Sequence, residues 1–416
     1  MTFVLFLLLL VVAGAAFAAG YALALRRRPA RAFLPEIVLP VDAHAAGAEE
    51  APPSARVAFE RGADEGSPEW RLAMAEVGER MRGAGVRLVV FAHGSFVGDD
   101  PLALARSVED AIPTFGAHAC ALRGFTRAQV HRVLGDLSNF PPDYVESFAR
   151  ATGVAASSFT WSGENHHAAR VQGAVRLART IALHGGGAVR AGDGVLLLGH
   201  SHGGQLFAVL SQLVARAHGH EELVAAALAR DEDVGALEEH LALLRRCAVD
   251  VATFGTPPRY GWARGAGFRV LHVVNHRGVA TRARSLFGVL HTREGDYVHQ
   301  LGVPGSDFPA LARGERAINT RLDRLLGSGT SARNWLRHVG RGTRVATHGH
   351  TALVDYGDRA RAVPNFLSTG LGHAAYTRRD AMLFHARLLA EHFYATRTDE
   401  NRPRHPNVRR ATRPST

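Results

Sequence analysis

Apolar and polar positions follow two rhythms along this chain. Short unbroken apolar runs predict strands at Arg87 to Ala92 (RLVVFA), Ser157 to Trp161, Gly194 to Leu198 (GVLLL), Cys247 to Phe254, Phe268 to Val274 (FRVLHVV) and Thr343 to Thr347. Between them, apolar residues recur three or four apart, which predicts helices over Ala168 to His184, Gln205 to Ala217 and Thr377 to Tyr394. Strands that alternate with helices give an α/β fold: a mostly parallel sheet flanked by helices on both faces. Sites in such sheets lie beyond the carboxyl ends of the strands. The stretch 214–246 has mixed charge and Ala/Leu spacing and predicts two further amphipathic helices. They either cap the site or lie solvated on the sheet.

The ends of the chain obey neither rhythm. Residues Thr2 to Leu25 carry no charge, and as a helix they rise about 36 Å against a hydrocarbon core of about 30 Å. Arg26, Arg27, Arg28 and Arg31 follow, while only the terminal amine precedes. That asymmetry favours an uncleaved single-pass anchor with the following domain in the cytoplasm. The alternative is a signal peptide cleaved near Ala19, against which stand the missing basic leader and the length of the apolar run. Residues 1–28 are therefore read as a transmembrane helix, 29–69 as a Pro- and Ala-rich linker with one short strand near Pro35 to Pro40, and 70–396 as the folded domain. Residues 397–416 form a basic tail with no apolar face to bury, expected to be disordered.

Composition narrows the classes further. With 416 residues, 46% hydrophobic and 21% charged, the chain suits a large globular domain rather than a fibrous or disordered one. The formal net charge is +11, and all 49 basic residues are arginine. Outside the two ends they are dispersed, and aromatics make up only 7%, so a nucleic-acid partner is not expected. The basic ends suit attraction to anionic phospholipid instead. Two cysteines, Cys120 and Cys247, cannot build a disulfide framework.

The densest chemistry lies in GVLLL-GHSHGG-QLFAVL, residues 194–210. A serine hydroxyl is a weak nucleophile and must meet a base and a substrate together. A sharp strand-to-helix turn achieves this, with glycines two positions on either side of the serine to relieve the strained backbone. Here Gly199-His200-Ser201-His202-Gly203 follows an apolar strand and precedes a helix. In this context the chain resembles the α/β-hydrolase superfamily, specifically its lipase- and esterase-like serine hydrolases. The resemblance runs over about 86–394.

That resemblance implies an α/β-hydrolase fold with Ser201 as nucleophile. It implies an oxyanion hole from the main-chain N–H groups of His202 and of Ser95, in the His93-Gly94-Ser95 loop after an earlier strand. The acid is expected in Gly295-Asp296-Tyr297-Val298, beyond an insertion over Asn275 to Arg293, with Asp307 as the rival to Asp296. The base is expected at His373, before the last helix, with His348 and His350 as rivals. FTWSGENHH, residues 159–167, resembles a strand-end segment that would bring Trp161, Ser162 and Asn165 to the pocket beside His93 and Gly94. FGTPPRYGW, residues 254–262, resembles the Gly-Thr-Pro turn of lipases.

These expectations amount to cleavage of a small-molecule or lipid ester through an acyl-enzyme, with no cofactor. Thioesterase or peptidase chemistry uses the same residues, and a degenerate hydrolase serving as a membrane-bound scaffold is the alternative outside catalysis. No metal is expected: His166-His167, and His348 and His350 with Asp355, are the clusters considered, and adjacent histidines usually point apart.

Overall fold

A computed structural model describes residues 54–95, 140–229, 236–276, 295–302, 307, 310, 313–327, 348–357 and 371–395, with the backbone of 37–38 and 344–345. The apolar segment 2–25, the tail 397–416 and Cys120 lie outside the described residues. Among the described residues, no helix is long and apolar enough to cross a membrane.

Among the described residues there are nine strands, β1 (Ile37–Val38), β2 (Ser54–Ala58), β3 (Val86–Ala92), β4 (Ala155–Phe159), β5 (Gly194–His200), β6 (Ala248–Phe254), β7 (Arg269–Asn275), β8 (Arg344–Val345) and β9 (His350–Asp355). Seven of them form one sheet in the order β2-β9-β7-β6-β5-β3-β4, and every pairing in it is parallel. The unbroken apolar runs of the central strands have a plain cause, since both faces of the sheet are covered. Val195 and Leu197 of β5 face one core with Val90, Val251 and Leu206. Leu196 and Leu198 face the other with Phe91, Phe254 and Met382. Each such leucine, fully buried, contributes about 1.5–3 kcal/mol relative to exposure.

The first face is covered by α3 (His167–Leu183) and α4 (Gly203–Val214). The second is covered by α1 (Pro68–Gly83), α2 (Pro142–Thr152) and α7 (Met382–Phe393). Local signals start and stop these helices. Ser67 caps α1 by accepting the Trp70 N–H at 3.1 Å, Pro68 opens it, and α2 closes on Gly153 in the left-handed region.

Two expectations are corrected here. The last strand of the sheet is not Thr343 to Thr347. Within that run Arg344–Val345 pairs with Ile37–Val38 in a separate two-stranded ladder, and the sheet instead takes His350–Asp355, whose Ala352, Leu353 and Val354 are buried. Ser54–Ala58, read as linker, is the edge strand beside β9. The helices over 214–246 are α5 (His220–Leu228) and α6 (Leu237–Leu244). They send Leu223, Ala227, Leu241 and Leu244 into the same core as α3 and α4, and α6 leads into the amino end of β6. Of the two placements, they take the one against the sheet's helical layer rather than a cap.

Candidate active site

Parallel pairing brings the carboxyl ends of the central strands level. Ala92 lies opposite Gly199, His200 opposite Phe254, and Phe254 opposite Val273. The residues just past those ends must therefore meet, although they lie far apart in sequence.

Ser201 follows β5 directly and has a φ of 53°, in the left-handed region. A non-glycine residue there costs on the order of 1–3 kcal/mol and persists only when its surroundings enforce it. Here the Ser201 N–H donates to the Phe254 carbonyl at 2.9 Å. Its own carbonyl accepts from the Gly204 N–H at 3.1 Å and the Thr256 hydroxyl at 2.7 Å. The flanking glycines serve close approach. A Cβ on Gly199 would stand 2.6 Å from the Phe207 ring, and one on Gly203 would stand 2.6 Å from the His93 carbonyl oxygen.

The His93-Gly94-Ser95 loop lies against this turn, and a Cβ on Gly94 would sit 2.8 Å from the Ser201 Cβ. His93 stiffens the loop. Its Nε2 accepts the Trp161 main-chain N–H at 3.2 Å, so Nδ1 carries the proton and donates to the Gly94 carbonyl at 2.7 Å. The Trp161 ring is fully buried, stacks on His93 and donates from Nε1 to the His93 carbonyl at 2.9 Å. Ser95 Oγ and His202 Nδ1 are joined at 2.8 Å, which ties the loop to the turn. Burial, then the Arg170 charge, holds the His202 imidazole well below its usual range, so it is neutral. Among the described residues, no backbone carbonyl accepts from the Ser95 or His202 N–H.

Asp296 and His373 meet. The imidazole Nδ1–H donates to Asp296 Oδ2 at 2.8 Å, with the carboxylate fully buried. The same Oδ2 accepts from the Tyr376 hydroxyl at 2.8 Å, and Oδ1 accepts from the His299 main-chain N–H at 2.8 Å. Burial alone would push this carboxyl up. The His373 imidazole and the His299 N–H outweigh it and leave Asp296 below the usual carboxylate range. His200 Nε2–H donates to the His373 carbonyl at 3.0 Å, and the two rings lie 4.6 Å apart, which holds the imidazole beside the Ser201 turn. The other ring nitrogen of His373, Nε2, has no hydrogen-bond partner among the described residues.

The insertion between Asn275 and Asp296 does not carry Asp296 away from the end of β7. His276 bridges Gly295, and the Asp296 N–H donates to the Asn275 carbonyl at 3.0 Å, so the chain re-enters where β7 ended.

The rivals lie elsewhere. Asp307 binds Arg170 Nη1 at 2.8 Å and Arg259 Nη2 at 3.0 Å, in a buried cluster with Tyr260 and His167. The two guanidiniums outweigh the burial that would raise it and hold its carboxyl far below the usual range. Asn165 joins that cluster by accepting from Arg170 Nη2. His350 opens β9 at its amino end, opposite Leu271, and His348 precedes it, so both sit across the sheet from Ser201. Ser162 is buried beside Trp161, and its hydroxyl makes no hydrogen bond among the described residues.

The metal clusters considered from sequence do not converge. His166 turns to Glu164 at 3.1 Å, while His167 turns to Tyr260 and the Gly327 carbonyl. His348 and His350 stand at one end of β9 and Asp355 at the other, about 16 Å along a strand. A group not foreseen, Glu164, His166 and Glu315, brings its donor atoms within 4.8 Å of one another, all buried. His166 Nδ1, however, accepts the Ala169 N–H at 3.3 Å as the cap of α3. Its Nε2 must then carry the ring proton, which it donates to Glu164, and a protonated nitrogen cannot ligate a metal.

Two contributors lie outside every motif singled out from the sequence: the side chain of Tyr376 and the main chain of His299. The spacing of Tyr376, three residues after His373 within one 3-10 turn (His373–Thr377), was the only hint available. No protein-family model matches this chain, and neither a curated protein nor a solved structure is significantly similar to it.

Proposed function

We propose that this chain is a serine hydrolase of the α/β-hydrolase type, cleaving carboxylic esters of small-molecule or lipid substrates through an acyl-enzyme. The observation that carries the reading is the 2.8 Å hydrogen bond from His373 Nδ1–H to buried Asp296, beside a serine in the left-handed conformation. An imidazole whose Nδ1–H is committed to a carboxylate presents Nε2 as a base.

In this reading Ser201 Oγ attacks the ester carbonyl carbon as His373 Nε2 takes the hydroxyl proton. The carbonyl oxygen becomes an oxyanion, held by the Ser95 and His202 N–H groups. Collapse breaks the bond to the alcohol oxygen, which leaves with the proton returned by His373, and Ser201 is acylated. Water then repeats the sequence: it loses a proton to His373, attacks the acyl carbon, and releases the acid and Ser201. Asp296 stays ionised throughout and stabilises the imidazolium. The apolar span at 2–25 and the arginines behind it would hold this domain at the cytoplasmic face of a membrane.

A fluorophosphonate probe tests the reading. The wild-type protein becomes labelled and loses turnover of a p-nitrophenyl ester, and Ser201→Ala abolishes both labelling and turnover. Equal labelling of the variant would overturn the assignment. Cleavage of peptide amides without ester turnover would redirect it to a peptidase.

A further inference from the structure

We propose that Tyr376 is a positioning residue of this site: its hydroxyl, aimed by the Asn275 main-chain N–H, fixes the orientation and ionised state of Asp296, and through it the basicity of His373. The proposal rests on the hydrolase reading above.

The geometry leaves the hydroxyl one choice. Tyr376 is fully buried, and its oxygen accepts the Asn275 N–H at 2.7 Å. A main-chain N–H can only donate, so the hydroxyl proton must go to the other neighbour, Asp296 Oδ2 at 2.8 Å. That oxygen also receives the His373 proton. A carboxylate with no water around it needs such donors to remain charged. Burial and the Asp296 charge push the Tyr376 hydroxyl well up, so it keeps its proton as the site titrates. Asn275 lies at the end of β7, and its side-chain Nδ2 donates to the Gly372 carbonyl at 2.8 Å. The same residue therefore aims the tyrosine and holds the loop that carries the histidine.

The hydroxyl stabilises the carboxylate most when its charge is not already shared with an imidazolium. Removing it disfavours the neutral-histidine state more than the protonated one, so His373 should hold a proton more tightly. Other titratable groups face this centre. His200 from β5 lies 5.8 Å from the Tyr376 ring, Tyr356 from the end of β9 lies 5.5 Å from it, and His202 and His299 flank the pair from the Ser201 turn and from the segment after Asp296. All four are unchanged in a Tyr376 variant, so a moved pH limb reads the Tyr376 hydroxyl.

The test is Tyr376→Phe in the full chain, assayed on a p-nitrophenyl ester and normalised to fluorophosphonate-titrated sites. The expected result is a kcat per titrated site lower by about 10- to 100-fold, the worth of one hydrogen bond to a charged group, with KM little changed. The acidic limb of kcat/KM should also move to higher pH. Unchanged kcat per site with an unmoved limb would overturn the proposal, since a purely structural tyrosine alters only the number of active sites. If the phenylalanine variant does not fold, 2,3-difluorotyrosine installed at 376 keeps the shape and makes the hydroxyl a stronger donor. The acidic limb should then move to lower pH, and an unmoved limb would again overturn the proposal. Wild-type protein without Ser201-dependent turnover would instead remove the hydrolase reading, and this role of Tyr376 with it.

Discussion

The Tyr297 N–H donates to the Leu371 carbonyl at 3.0 Å, joining the loop that carries Asp296 directly to the loop that carries His373. The two segments lie more than seventy residues apart, yet their main chains meet one residue from Asp296 and two from His373. Leu371 takes a φ of 60° and Gly372 one of 84° to make the approach. The side-chain hydrogen bond between Asp296 and His373 is thus built on a main-chain frame, which limits how far either side chain can drift.

Gly372→Ala probes that frame. A Cβ at this position would stand 2.2 Å from the Gly295 carbonyl oxygen, so the two loops must separate. A shift of about 1 Å in a reacting group can cost about 100-fold in rate. The variant should lose at least that in kcat while keeping its far-ultraviolet circular dichroism, with Tm lower by several degrees. Wild-type kcat in this variant would show that the frame does not hold the base.

Asp296 and Asp307 make opposite predictions. Asp296→Asn should lower kcat by about 10,000-fold with a small change in stability, because the amide favours the wrong imidazole tautomer. Asp307→Ala strands two guanidiniums, Arg170 and Arg259, that are almost completely buried. It should cost about 3–5 kcal/mol in urea unfolding and leave fluorophosphonate labelling intact at low temperature. The reverse pattern would exchange the roles of the two aspartates.

Buried histidines set the response to acid. Burial pushes His272 down to about 4, partly offset by its bond to the His348 carbonyl, and burial then the Arg378 charge push His385 down to about 3. Both are neutral in the fold and ordinary in the unfolded chain, near 6.5. Their stabilisation is complete above about pH 6.5 and is lost as the pH falls toward their folded values, because the unfolded chain then binds more protons. Each adds a slope of about 1.4 kcal/mol per pH unit over that window. Urea titrations at pH 7.5, 6 and 5 should show stability falling, and His385→Leu should flatten the slope by about one proton. A slope unchanged in that variant would mean that His385 is protonated in the fold.

The elements most legible from the residues were those whose neighbours in sequence are also their reasons. GVLLL is apolar without interruption because β5 is covered on both faces, and the glycines around Ser201 answer contacts made within a few residues or with one adjoining strand. His93, Ser95, Ser201 and His202 gather at one end of the sheet because each stands just past a strand and parallel strands end together, while Asp296 and His373 return to that end through the main-chain bonds of Asp296 to Asn275 and Tyr297 to Leu371. Short edges were harder to read. Within Ser54–Ala58, positions 55–58 alternate between half-covered and exposed, and the partner of this strand is β9, some three hundred residues away.

By itself, then, the order of residues determined the alternation of strands and helices and the strained serine turn. Those features follow from local sterics and from which side chains avoid water. Only the tertiary structure brought Asp296 rather than Asp307 to His373, because Asp307 is taken up by Arg170 and Arg259, and it alone set His350 at the opposite end of the sheet from Ser201. It alone also put the Tyr376 hydroxyl on Asp296. A buried carboxylate takes its donors from whatever the packed chain brings within 3 Å, and that proximity has no counterpart in linear spacing.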